Sequence, residues 1–302
     1  MIAGFRLFSI LLLVVLSQSA QAQQAYPSAD AAAEALVVAL GSEKGDAERL
    51  AALLGADWQS YIPTGDVERE DVDAFLGLYR EKHMIEPTAA GRAALVVGNT
   101  PWTFPLPLVQ GKAGWTFDSK AGGEEIRVRR IGRNELASVE AVLAYHDAQM
   151  DYAEVDRDGD GVLEYAQQFM SSDGQYDGLY WPEQPGIEES PLGPLFGDEL
   201  PDGEWQGYHY RILSAQGASA PGGAYDYRLG DNMTRGFALI AWPAEYADSG
   251  VMSFMISHEG QVFEKDLGPD GAKLATSMVR FDPDSSWNEV AAEAEVEALA
   301  TP

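Results

Sequence analysis

The chain contains no cysteine. That excludes disulfides, thiolate metal centres and cysteine nucleophiles. Basic residues are scarce: 20 Lys and Arg stand against 48 Asp and Glu, a formal charge of −28. So acidic a surface repels phosphate backbones and anionic lipid, and neither nucleic acid nor a membrane surface is an expected partner. Only four histidines occur, His83, His146, His209 and His258. None forms an HExxH pair, and no Gly-x-Ser-x-Gly elbow is present. Apolar residues are not scarce. They make up 46% of the 302 residues, and aromatics 10% of the chain, enough for the core of one or two domains.

Long apolar runs are missing after the amino terminus. There, Arg6 precedes an apolar stretch from Leu7 to Leu16, and Ala20-Gln21-Ala22 supplies small residues before Gln23. The run is about half the roughly 20 residues needed to cross a bilayer, so residues 1–22 read as a cleaved secretory signal rather than an anchor. Export implies the periplasm or secretion, with no membrane span after cleavage. An oxidising compartment without disulfides leaves packing, and a metal, to hold the fold.

Charge divides the remainder. Residues 23–134 carry 12 basic and 16 acidic side chains, whereas 135–302 carry 7 and 32. This step predicts a domain over 23–134, another over 135–287 and a tail over 288–302. In the first, Asp30 can cap a helix burying Ala33, Leu36, Val37 and Leu40, and Asp46 can open a second through Leu50, Leu53 and Leu54. Phe75, Leu76, Tyr79 and His83 fit a third. Ala94–Val97, the proline-containing Trp102–Val109 and Trp115–Phe117 read as strands of a small curved sheet. Helices followed by a sheet predict an α+β class.

The arginine-rich segment 124–133 reads as a connection, whose Arg127, Arg129, Arg130 and Arg133 pair with nearby acids or receive an anion. From Asn134 to Val155, Leu136, Val139, Leu143, His146 and Met150 predict one long helix with a buried face. Beyond residue 200 the period becomes two. Trp205–Leu213, Tyr225–Leu229, Met233–Trp242, Val251–Ser257 and Gln261–Asp266 form an expected antiparallel meander, with turns at Gly230–Asn232 and His258–Gly260. The alanine- and glutamate-rich tail from Asn288 is expected as a loose helix.

One motif carries chemistry: Asp156-Arg157-Asp158-Gly159-Asp160-Gly161-Val162-Leu163-Glu164. Calcium takes six to eight oxygens, and acids on alternate residues of a turn can converge on one point. Asp156, Asp158 and Asp160 supply carboxylates, Gly161 a sharp turn, Val162 an inward carbonyl and Glu164 a further oxygen. The segment resembles the first three quarters of an EF-hand loop. Position twelve is Gln167 rather than glutamate, so a missing donor has to come from elsewhere, with Asp173 and Asp177 nearest. The alternative is an Asp/Gly-rich turn whose acids cap backbone amides. Three alternate acids without a counter-ion repel each other, and this favours structural calcium.

Aromatics between Tyr176 and Tyr246 read first as cross-strand core pairs and second as a stacking surface for sugars or a peptide. Gly217–Gly223 is the candidate ligand lip. His146 is expected as a hydrogen-bonded core histidine, and His209 as pointing away from Tyr208 and Tyr210. No residue stands out as catalytic. The expected function is a calcium-stabilised binding or interaction module for an envelope protein or glycan. A carboxylate-dependent hydrolase of envelope glycans or peptides, or a structural assembly subunit, are the alternatives.

Several stretches, among them Arg130–Glu135, Asp156–Gln167, Asp177–Pro182, Ala220–Tyr227, Gly236–Pro243 and Lys265–Pro269, resemble a bacterial family of exported proteins catalogued as domain of unknown function 2950. The likeness spans nearly the whole mature chain and implies no activity. The first half is similar in element order to the cone-shaped nuclear-transport-factor-like fold. The helix from Asn134-Glu135, the Asp/Gly loop and the meander are similar to the globular part of type IV pilin-like and pseudopilin-like proteins, without a pilin's membrane helix.

Overall fold

The computed structural model describes residues 23–41, 46–65, 67–183, 185–193 and 204–291. The expected signal segment and the tail beyond residue 291 lie outside them. Two compact units divide between Glu124 and Glu125. Both mix helices with antiparallel sheet, and the fold is α+β.

In the first unit, α1 (Ala29–Leu40) is capped by Ser28, whose Oγ accepts the Ala31 N–H at 3.1 Å. Asp30 therefore sits within the first turn, where a carboxylate faces the positive end of the helix dipole. Asp46 caps α2 (Ala47–Leu54) by accepting the Arg49 N–H. A short 3-10 turn, Trp58–Ser60, leads to α3 (Arg69–Glu81). Five strands follow: β1 (His83–Ala89), β2 (Arg92–Val97), β3 (Trp102–Thr103), β4 (Leu108–Gly111) and β5 (Gly114–Phe117). The sheet order is β1-β2-β4-β5, with β3 also paired to β2. Ala33, Tyr79, Leu95 and Val97 form a core against Val37, Phe75, Ile85 and Phe104. His83 does not prolong α3. It opens β1, its ring stacked on Tyr79 at 3.9 Å and its Nδ1 2.9 Å from the Tyr79 carbonyl.

The unit boundary falls within α4 (Ser119–Tyr152). This helix starts well before the expected Asn134 and absorbs the arginine-rich segment, since arginine is a good helix former and its charges find partners. Arg129 bonds Glu125 at 2.8 Å, Arg127 donates to the Ala247 carbonyl, and Arg130 pairs with Asp248. The buried line on α4 is Val139, Val142, Tyr145, Ala148, Gln149 and Tyr152. Met150, expected on that face, is 46% exposed, and Gln149 is fully buried in its place.

The remaining elements are β6 (Glu204–Trp205), β7 (Tyr208–Leu213), β8 (Ala215–Gln216), β9 (Tyr225–Asp226), β10 (Arg228–Leu229), β11 (Asn232–Met233), β12 (Ala238–Pro243), β13 (Met252–Ser257), β14 (Val262–Asp266), α5 (Gly271–Ser277) and β15 (Asn288–Glu289). Six build an antiparallel sheet in the order β15-β14-β13-β12-β7-β6, while β8–β9 and β10–β11 are separate pairs. The expected meander is therefore interrupted. Trp205–Leu213 breaks at Gln206 and Gly207, both at positive φ (52° and 74°). Asn288-Glu289 is not helical but pairs with Phe263 and Glu264 at the sheet edge. Tyr208, Tyr227, Trp181 and Trp242 are buried with Phe237, Leu239, Ile240 and Phe254, so these aromatics are core.

Candidate cation-binding loop

The Asp-rich loop follows directly on α4. Two clasps fix its ends. At its start, Arg157 lies over the rings of Tyr152 and Trp181, 5.2 and 5.1 Å from their centroids. After it, the buried Gln149 amide pairs with the backbone of Ala166: Oε1 accepts the Ala166 N–H and Nε2 donates to the Ala166 carbonyl, both at 2.8 Å. Nε2 also donates to the Tyr145 hydroxyl at 2.9 Å. A polar side chain so buried is tolerated because its groups are satisfied.

Between the clasps the chain turns on Gly159 and Gly161, at φ +78° and +87°, a region that side chains with a Cβ rarely enter. Asp156 accepts the N–H of Gly159 at 2.8 Å through Oδ1 and that of Gly161 at 2.9 Å through Oδ2. Asp158 accepts from the Asp160 N–H at 3.2 Å, and Asp160 from the Val162 N–H at 2.7 Å. The turn thus gathers Asp156, Asp158 and Asp160 so that one oxygen of each lies within 4.8 Å of the others, at the surface. Among the described residues this is the one such group of metal-ligating side chains.

Sequence spacing gives this convergence but not its outer support, which comes from the β10–β11 hairpin. Asn232 Nδ2 donates to Asp160 Oδ2 at 2.6 Å, and the Met233 N–H donates to Glu164 Oε2 at 3.2 Å. Burial pushes the Glu164 carboxyl up, and Asp158, Asp160 and Asp156 push it the same way against the lowering effect of the Met233 N–H. Negative charge is crowded around Glu164. Burial and the Glu164 charge likewise raise the Tyr152 hydroxyl to about 12.

Gln167 has a visible task. Its Nε2 donates to the Asp231 carbonyl at 2.6 Å, which a carboxylate at that position has no proton to do. Asp177 is engaged elsewhere, accepting the Ser172 N–H at 2.7 Å and its hydroxyl at 2.9 Å. Burial alone would raise the Asp177 carboxyl, but these bonds hold it below the ordinary range. Neither Asp173 nor Asp177 joins the convergent group. A cleft of about 410 Å³ lies beside the loop, lined by Asp151, Glu154, Arg157, Glu188, Glu189 and Leu192 among others.

The other singled-out residues are engaged within the fold. Gly217–Gly223 is a closed clasp: Gln216 Nε2 donates to the Pro221 and Gly223 carbonyls, and the Ser219 N–H to Asp282. His146 lies between Asp147, 3.1 Å from Nδ1, and the His258 carbonyl, 3.4 Å from Nε2. His209 is cross-strand partner to Trp242.

A family model described as "Protein of unknown function (DUF2950)" matches residues 23–290. The chain belongs to that family. Neither a curated protein nor a solved structure matches it. In this DUF2950 chain the Arg130–Glu135 stretch fastens α4 to the loop between β12 and β13. Asn134 donates to the Ser249 carbonyl, and one Glu135 oxygen accepts the N–H of both Val251 and Met252. In the Asp177–Pro182 stretch, Trp181 Nε1 donates to the Glu188 carbonyl at 2.9 Å. Among the described residues no helix is long and apolar enough to cross a membrane.

Proposed function

We propose that this DUF2950 chain is an exported protein of the bacterial cell envelope, periplasmic or secreted, whose second unit is stabilised by calcium and serves as a binding or interaction module. The gathering of the Asp156, Asp158 and Asp160 carboxylates within 4.8 Å supports the cation reading. A hard cation relieves the mutual repulsion of acids that the turn forces together. Val162 offers a carbonyl and Glu164 a carboxylate to complete the oxygen set. With Gln167 serving Asp231, water fills the remaining positions, which places affinity below that of a loop ending in a bidentate glutamate.

Export is supported by the short apolar run Leu7–Leu16 after Arg6 and by Ala20-Gln21-Ala22. The family match begins at Gln23, the residue after the expected cut. The non-catalytic reading rests on the loop's acids: they are oriented by backbone amides and one asparagine, an arrangement suited to holding an ion rather than moving a proton.

Titration calorimetry of the mature protein with calcium and with magnesium tests the site. One calcium bound with preference over magnesium, and lost in Asp158→Ala, is the expected result. No heat beyond dilution with either ion refutes it.

A further inference from the structure

Gln23 is the first described residue, and its side chain is held at two places in the first unit. Nε2 donates to the Leu53 carbonyl near the end of α2 at 2.8 Å and to the Phe117 carbonyl at the end of β5 at 2.7 Å. Both partners only accept, so the NH2 end of the amide must face them. The chain beyond is stitched down as well. The Gln24 N–H donates to the Ala52 carbonyl at 2.8 Å, and Tyr26 and Trp115 exchange backbone bonds of 2.8 and 2.7 Å. Gly114, at φ +133°, permits this approach, because a Cβ there would run into the Tyr26 carbonyl. Gln23 also forms part of the wall of a cleft of about 700 Å³ with Asp57, Tyr61, Asp118 and Lys120.

A glutamine at the start of a chain is chemically unstable. Its α-amino nitrogen attacks Cδ of its own side chain, the new N–Cδ bond closes a five-membered ring, and the Cδ–Nε2 bond breaks. Ammonia leaves with the amine's proton, and nothing is oxidised or reduced. The ring requires the side chain to fold back on its own backbone. It also destroys the NH2 group that serves Leu53 and Phe117.

We infer that Gln23 is a protected amino-terminal anchor: the side-chain amide, locked between the Leu53 and Phe117 carbonyls, keeps the mature terminus open, uncyclised and positively charged. This rests on the export reading above, since only a cut after Ala22 makes Gln23 terminal. Closing the ring in the folded protein has to break both bonds and leave two acceptors unpaired, which slows it by about tenfold or more.

The test uses the full-length precursor, expressed with its own leader in a Gram-negative host. Mature protein is recovered and its first residue read by peptide mass spectrometry. Loss of one ammonia is then followed at one temperature and pH, in native buffer and in guanidinium sufficient to unfold the chain. The expected result is an open Gln23 that loses ammonia at least about tenfold more slowly in the native protein. Gly114→Ala, which displaces residues 23–26, should speed native cyclisation toward the unfolded rate; if that variant does not fold, the native and unfolded rates of the unaltered protein decide. Equal rates, or a terminus already cyclised on purification, overturn the anchor and leave export intact. A first residue other than Gln23 overturns the expected cut and the anchor with it.

Discussion

Replacing Gln149 should cost more stability than almost any other single polar substitution in the second unit. The side chain is fully buried, and it satisfies both backbone groups of Ala166, itself 1% exposed, as well as the Tyr145 hydroxyl. Gln149→Met keeps the volume but leaves the buried Ala166 N–H and carbonyl without these partners. At roughly 1–3 kcal/mol for each of the two orphaned buried groups, the loss comes to about 2–6 kcal/mol. Tyr145 retains its bond to the Ala238 carbonyl at 3.3 Å and adds little to that figure. Against a total of about 5–15 kcal/mol, this is a large share. Guanidinium unfolding of both proteins, compared at unchanged m-value, gives the difference directly. A cost under about 1 kcal/mol for Gln149→Met would show that water or a shifted backbone serves Ala166 and would refute the clasp. Because Ala166 lies just beyond Glu164, the same variant should also weaken calcium binding.

Two further expectations concern the sheet of the second unit. Arg211 donates to the Ala275, Thr276 and Met278 carbonyls at the end of α5, so Arg211→Met should cost about 1.5–3 kcal/mol and raise hydrogen exchange in α5 first. Burial, and then the neighbouring Glu135, push the Glu264 carboxyl up from its ordinary 4.5. A carboxyl raised in the folded state binds more protons there than when unfolded, so its contribution to stability is lost as pH rises through 4.5 and beyond. Glu264→Gln should therefore gain a few tenths of a kcal/mol at pH 7, discounted for its exposure, and gain nothing below its unfolded pKa. Thermal unfolding at the two pH values measures the difference.

Local signals were legible where one residue decides the outcome. Asp46 caps α2 where the spacing places it, and the period-two runs become β7, β12, β13 and β14. Signals that depend on distant partners were not. β1 is exposed along almost its whole length and carries Pro87, so it lacks the alternation that betrays a strand. The start of α4 was hidden by Gly122 and Gly123, poor helix formers whose missing side chains make room for Leu106 and the Tyr61 carbonyl. Asn288-Glu289 opens the alanine- and glutamate-rich tail read as a helix, yet the open edge of β14 takes the pair as a strand, tertiary pairing overriding propensity. The loop's three aspartates could be read from alternation alone. Asn232, Met233 and Gln149 could not, because only folding brings the β10–β11 hairpin and the last turn of α4 against Asp160, Glu164 and Ala166.

The most direct test of the cation site is the melting of the mature protein in excess calcium and in chelator, alongside Asp158→Ala. At calcium about a hundredfold above its dissociation constant, binding contributes about 2.7 kcal/mol. For a unit of this size that is a rise in Tm of about 5–10 °C, absent from the variant. Superimposable curves for the unaltered protein, with and without calcium, would contradict the account.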